Sequence, residues 1–253
     1  GLVGSEMCIR DSNVALGQSL TADHVLRFQD LIPLANYQLA TYALAELFTR
    51  KDEAEIAELR KAGQAIDAVH AQVPKLLQPG RTEAEVAQEL EELILQEHTV
   101  IDFVIVGSGP NGANPHHSFS DRVLAEGEPV VVDIGGTLPS GYHSDCTRTY
   151  VVGGDVSKAP QDFQDAYAVL ADAQAAARAA AHPGSTAAEI DAITRKAIAA
   201  AGWGDNFVHR TGHGIGLSTH EEPFIMEGND LTLEEGMAFS IEPGIYVEGK
   251  WGM

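Results

Sequence analysis

Only two cysteines, Cys8 and Cys146, occur in the chain, which excludes a disulfide framework and points to a reducing, cytoplasmic compartment. No apolar run comes near the roughly 20 residues needed to cross a bilayer. The start also lacks the basic residues and apolar stretch of a secretion signal. Basic residues are scarce, with 16 against 37 acidic ones and a formal net charge of −21. That sign repels phosphate backbones and excludes nucleic acid as a partner. Most of the acids read as solvated helix faces, yet so acidic a chain can spare carboxylates for cations. Cys146 lies in an apolar, strand-like run, which predicts a buried, inert thiol rather than a nucleophile.

What is present is a globular composition, 253 residues of which 44% are hydrophobic, enough for one large domain or two modest ones. Residues 1–12 read unlike the rest and resemble translated adaptor sequence, so they are set aside as extraneous. Residues 13–48 are helix-like but short of a domain, and read as the remnant of an N-terminal one. Residues 49–253 read as the catalytic domain, with its last strand or strands missing beyond Trp251-Gly252-Met253.

Within that domain the chain repeats itself. Pro79-Gly80-Arg81-Thr82-Glu83-Ala84-Glu85-Val86 returns as Pro183-Gly184-Ser185-Thr186-Ala187-Ala188-Glu189-Ile190. Both copies predict a helix start, in which Thr82 or Thr186 caps and Glu85 or Glu189 completes a capping box. Long helical stretches, Asp52 to Leu77 and Gln161 to Ala181, precede the two copies. A second echo follows, because Leu124-x-x-Gly127 precedes Asp133 by the interval at which Leu233-x-x-Gly236 precedes Glu242. Both acids fall in apolar strand patterns, Val130 to Ile134 and Ala238 to Glu242. Two helix–helix–strand halves about a pseudo-two-fold axis would bring Asp133 and Glu242 together from equivalent strands.

An acid in a buried strand is costly unless it is paired or bound to a cation. A hairpin turning at Thr137-Leu138-Pro139-Ser140-Gly141 would set Asp145 opposite Asp133, since both lie six residues from Pro139. Two adjacent carboxylates repel when both ionise; a shared dication relieves this, and a proton-sharing acid pair is the rival explanation. The histidines favour metal. His209, His213 and His220 fall in one glycine-rich segment that holds three of the ten histidines, and neutral imidazole is a common ligand for divalent metals. His117 reads as a solvent-exposed loop residue, and Tyr142 and Arg148 as scaffold or pocket wall.

The contexts VVVDIGG around Asp133, YHSDCTRTY around Asp145, HRTGHGIG around His213 and FSIEPGIY around Glu242 resemble the pita-bread metallopeptidases. That superfamily includes methionine aminopeptidases, Xaa-Pro aminopeptidases and Xaa-Pro dipeptidases (prolidases). The resemblance runs from about Arg50 to Met253. It implies an α+β, pita-bread fold: two pseudo-two-fold-related αβ halves with a curved antiparallel sheet around the metals. It also implies a dinuclear exopeptidase that hydrolyses the Xaa-Pro bond, at the N-terminus of peptides or in dipeptides.

Carried over residue by residue, the resemblance makes Asp133 a terminal ligand of one metal and Asp145 the bridge between two. His213 becomes the imidazole ligand of the second metal, and Glu242 a further ligand there and the general base. His116 matches a substrate-side histidine, His220 one that stabilises the tetrahedral intermediate, and His209 the extra histidine of proline-handling members. Two divalent cations are implied, manganese first, with cobalt or zinc as alternatives. A homodimer acting on peptides with proline at the second position is implied too, with no membrane partner. The family's second bridging glutamate, in a Gly-x-Arg-Ile-Glu-Asp stretch, lies beyond Met253, so this chain by itself is expected to be inactive. The alternatives are a metal-free creatinase-like hydrolase and a non-catalytic pita-bread interaction module. Retention of the four ligand positions weighs against both.

Overall fold

The computed structural model of the chain describes residues 13–16 and 20–253; the segment set aside as extraneous, residues 1–12, lies outside the described residues. The chain divides into two compact units, one reaching Phe48 and the other Thr49–Met253. In the first, strands β1 (Asn13–Leu16) and β2 (Asn36–Leu39) pair in parallel around helix α1 (Ala22–Leu31), and α2 (Ala40–Thr49) follows.

The second unit begins with α3 (Glu53–His70), whose N-terminus is closed by an Asp52–Glu55 capping box. Ala62, Ile66, Val69 and His70 form its buried stripe, the i, i+4, i+7, i+8 spacing of one helix face. The single helix predicted from Asp52 to Leu77 is in fact broken, with a short α4 at Val73–Leu76. Pro74 explains the break, because it has no N–H to offer the carbonyl of His70 one turn earlier. Helix α5 (Glu83–Ile94) starts at a Thr82–Glu85 capping box and buries Val86, Ala87, Leu90 and Ile94.

Strands β3 (Val100–Ser108), β4 (Pro129–Thr137) and β5 (His143–Val151) form an antiparallel sheet in the order β3-β4-β5. Alternation divides the two faces of the sheet. Val130, Val132 and Ile134 of β4, with Cys146 and Tyr150 of β5, pack against α3 and α5, and Asp133, Asp145 and Thr147 fall on the opposite face.

The second half repeats the plan. Helix α6 (Gln161–Ala180) leads to α7 (Ala187–Ala200), which starts at the Thr186–Glu189 capping box. Strands β6 (Gly212–Gly214) and β7 (Glu221–Ile225) pair antiparallel, as do β8 (Tyr246–Val247) and β9 (Trp251–Gly252). Trp251 is buried against Phe163 of α6 and Trp203.

The halves are tied by matching contacts. Thr82 bridges to Val123, and Thr186 bridges to Thr232. The amides of Gly80 and Gly184 donate to the carbonyls of Leu124 and Leu233 at 3.0 and 2.9 Å. The two Leu-x-x-Gly turns are exchanged between halves. A Cβ on Gly127 (φ +77°) would lie 2.8 Å from the Lys158 carbonyl, just before α6, and one on Gly236 (φ +86°) would lie 2.7 Å from the Lys51 carbonyl, just before α3. Each half thus closes under the first helix of the other, the reciprocity a two-fold relation requires.

Two predicted strand details change. The hairpin pairs Asp133 with Thr147 and Gly135 with Asp145, so the carboxylates are diagonal neighbours rather than opposite ones. The turn is a Leu138–Gly141 β-turn with Pro139 at its second position and Gly141 at φ +89°; it centres the ladder past Pro139 and shifts the partner by two residues. The shift is even, so both acids keep the same face. Residues 238–242, read as a strand, form only an isolated bridge from Phe239 to Gly214. They run beside 211–215 through alternate backbone bonds, but the His213 amide donates to the Ser240 hydroxyl at 3.0 Å. That side chain interrupts the ladder.

The equivalence of the two helix starts has a stability consequence. Thr82→Ala and Thr186→Ala should each lower the unfolding free energy by about 1 kcal/mol, measured by urea denaturation. An unshifted midpoint for either would contradict their equal capping role.

Candidate metal centre and active site

The sheet face opposite the helices opens into a cavity lined by Asp133, Asp145, His213 and Glu242, with His116, His209 and His220 on the same lining. All seven residues singled out in the sequence are therefore brought to one place. His213 is the centre of it. Its Nδ1 lies 3.0 Å from the Gly214 carbonyl, which can only accept, so the proton is fixed on Nδ1. The other nitrogen, Nε2, lies 3.0 Å from Glu242 Oε1 and 3.4 Å from Asp145 Oδ2. Burial alone would lower this imidazole, but the hydrogen bonds from Asp145 and Glu242 outweigh it and raise the group to about 10. The side chains of His213 and Asp145 are only 3% and 8% exposed, so water screens little of this charge.

Asp133 shows the strain of the arrangement. Burial, reinforced by the Asp145 charge, pushes its carboxyl up to about 7, although the Thr147 hydroxyl donates to it at 2.7 Å. Glu242 goes the other way. Burial opposes its ionisation, and the His213 and Ser240 hydrogen bonds overcome that and hold it below the usual carboxylate range. The Ser240 hydroxyl donates to Glu242 at 2.9 Å while accepting the His213 amide, locking ligand and carboxylate together.

The histidines differ in their surroundings. His220 packs edge-on to His213 with ring centroids 4.2 Å apart, and burial with the His213 charge holds it below the usual histidine range. Its neighbours are anchored, because Glu221 is paired with the buried Lys51 at 2.6 Å and the Thr219 hydroxyl lies 3.2 Å from His143. His209 is also lowered by burial. Its Nδ1 donates to the Arg210 carbonyl at 2.6 Å, and its Nε2 accepts from the Tyr246 hydroxyl at 3.0 Å. His116 is exposed; its ring makes no hydrogen bond among the described residues, and its amide donates to Asn114 at 3.0 Å.

His117, read as solvent-exposed, is instead held by the buried Glu83, with Nε2 2.9 Å from Oε2 and a side chain 18% exposed. Glu83 also accepts from the amide and hydroxyl of Ser108, from Asn111 and from the Ser120 hydroxyl. These donors overcome burial and keep Glu83 ionised below its usual range. Asp191 does the same in the second half. It accepts the amide and hydroxyl of Thr211, and its partner Arg195 donates to the His209 carbonyl at 2.6 Å. Neither acid is evident in the sequence, since both look like helix-face carboxylates. Tyr246 and Ser240, each within four residues of Glu242, could have been found by proximity to it.

Three carboxylates around one imidazole leave an excess of buried negative charge, and Nε2 of His213 carries a lone pair once its proton leaves. Side-chain ligand atoms of Asp145, His213 and His220 lie within 4.8 Å of one another. Hard oxygens with one or two imidazoles are a donor set suited to a divalent cation, so the residues fit one.

The profile of metallopeptidase family M24 matches residues 57–253. The chain belongs to this family. The M24 chain is 53% identical over 253 residues to a probable dipeptidase PepE of Mycobacterium tuberculosis, covering all of itself and 66% of that protein. It is 44% identical over 214 residues to an Xaa-Pro dipeptidase of Lactobacillus delbrueckii, covering 83% of itself and 56% of the relative. A solved dipeptidase structure from Pyrococcus horikoshii superposes with a TM-score of 0.91 at 34% identity, covering 99% of this chain and 69% of that one. The M24 chain thus spans just under two thirds of the mycobacterial relative. Its mixed helices and antiparallel strands form the pita-bread fold. No helix among the described residues is long and apolar enough to cross a membrane.

Two outcomes follow from these contacts. A divalent cation at 100 times its Kd should raise the unfolding free energy of the chain by about 2.7 kcal/mol, and Asp145→Asn should remove that gain; an equal gain in the variant would contradict the site. Glu83→Gln should destabilise the protein by roughly 1–3 kcal/mol, because a buried cluster of donors loses its anion. Urea denaturation at neutral pH measures both.

Proposed function

We propose that the chain is the catalytic part of a metal-dependent exopeptidase that hydrolyses the bond before proline, in dipeptides or at the N-terminus of short peptides. The observation that carries this reading is His213 set between Asp145 and Glu242, with His220 against its ring and Asp133 on the neighbouring strand. Asp133, Asp145, His213 and Glu242 would hold two divalent cations, manganese being the one we favour for so oxygen-rich a donor set. The names of the relatives supply the substrate class, and a cytoplasmic homodimer is part of the same reading.

When bound, the cations supply Lewis acidity that lowers the pKa of a nucleophilic water and polarises the scissile carbonyl. The protein's own groups do the rest. Glu242 is kept ionised, so it can take a proton from the attacking water and deliver it to the departing proline nitrogen. His220 is kept neutral, so it can donate an N–H to the oxygen on which charge develops without first losing a proton. His209, with Nδ1 committed to the Arg210 carbonyl, presents Nε2 only as an acceptor, and Tyr246 occupies it. That pair holds a fixed, uncharged wall beside Glu242. His116, exposed and without a hydrogen bond to its ring, is free to meet substrate.

In the full-length protein that contains this chain, Ala-Pro or Ala-Pro-Ala should be cleaved with added Mn2+ and left intact with a chelator. His220→Ala should lower kcat by about 10²–10³-fold with cation binding retained. Cleavage that persists in chelator, or a folded, metal-loaded protein that cleaves neither peptide, would overturn the proposal.

A further inference from the structure

One cation in the cavity is unclaimed. Arg210 lines the same cavity as Asp133, Asp145 and Glu242, three acids that could each pair with it. Among the described residues its side chain has no ion pair and no hydrogen bond, and its buried Nε is the one side-chain polar atom left without a partner. Other half-buried arginines of this unit are satisfied: Arg195 by Asp191 and the His209 carbonyl, Arg122 by Glu128 and Ser108. A guanidinium carries donors in a planar fork, and burying one unpaired is costly. It is not a loose side chain, because its guanidinium carbon lies 5.1 Å from the Phe224 ring centroid. Its backbone is held too, since its carbonyl accepts from His209 Nδ1. Its charge is felt at the centre of the site, adding to burial in keeping both His209 and His220 low. A cation that is oriented, buried at its Nε and unpaired beside a reaction site is set for a ligand's anion.

The chemistry narrows that anion. The chain carries a net charge of −21 and three acids line the cavity, so a multiply charged phosphate is disfavoured. A single planar carboxylate matches one guanidinium fork. We propose that Arg210 binds the free α-carboxylate of the residue after the scissile bond, and so selects substrates that end there. This rests on the exopeptidase reading above. It assigns the chain to dipeptide substrates over longer peptides, whose second residue continues as an uncharged amide.

Two measurements separate this proposal from the reading it rests on. In the full-length protein, Arg210→Met should raise KM for Ala-Pro at least 10-fold and leave KM for the amide Ala-Pro-NH2 within 2-fold. Arg210→Lys should recover part of the loss, because the charge remains without the fork. Calorimetry needs no turnover: wild type should bind proline at least 10-fold more tightly than prolinamide, and Arg210→Met should abolish the difference. If wild type shows that difference and keeps it in Arg210→Met, or if Arg178→Met removes it instead, Arg210 is not the carboxylate's partner. Equal binding of proline and prolinamide by wild type would overturn the proposal even if Ala-Pro is cleaved. Discrimination by Arg210 without any cleavage would uphold the subsite and sink only the exopeptidase.

Discussion

Asp133, Asp145 and Glu242 share one cavity, and like charges at short range in poor solvent cannot all ionise unaided. Much else in the structure answers that constraint. His213 meets it from one side by placing Nε2 between two of the acids, and Asp133 meets it by holding its proton up to about 7. A cation would replace both expedients at once. The site is therefore built for a charge that the side chains themselves do not supply.

The fold delivers these groups through its internal duplication. Asp133 comes from a strand of the first half and Glu242 from the equivalent position of the second, and the crossed glycine turns at Gly127 and Gly236 hold the halves together. Each half adds a buried carboxylate on its second helix that gathers a histidine-bearing segment. Glu83 of α5 gathers the loop of His116 and His117, and Asp191 of α7 gathers the segment of His209 and His213. These two acids touch no predicted metal ligand side chain. Their work is to give flexible segments a fixed hydrogen-bonding partner, so that the site is preorganised.

Much of this was legible in the chain because it is local chemistry. The capping boxes at Thr82 and Thr186 need only four consecutive residues, and glycine-flanked histidines announce themselves by composition. The hairpin partner of Asp133 was misplaced by two residues because Pro139, the visible punctuation, opens the turn without centring it. The face survived because alternation depends only on parity. The strand expected at 238–242 failed because Ser240 spends its hydroxyl on the His213 amide, a choice made by a residue in another segment. Glu83 and His117 could not be paired by inspection, since the carboxylate at a helix start is usually solvated and the histidine that needs it lies in another loop. Arg210 was invisible for the same reason, because being unpaired is a property of the folded surroundings.

The central claim is that Asp133, Asp145, His213 and Glu242 form one cation-binding centre. Anomalous diffraction from a crystal of the full-length protein grown with Mn2+ tests it most directly. Two peaks among these four side chains, about 3.5–4 Å apart, with His213 turned from donor to ligand, is the predicted result. Absence of any peak there, with His213 still bonded to Asp145 and Glu242, would contradict the account.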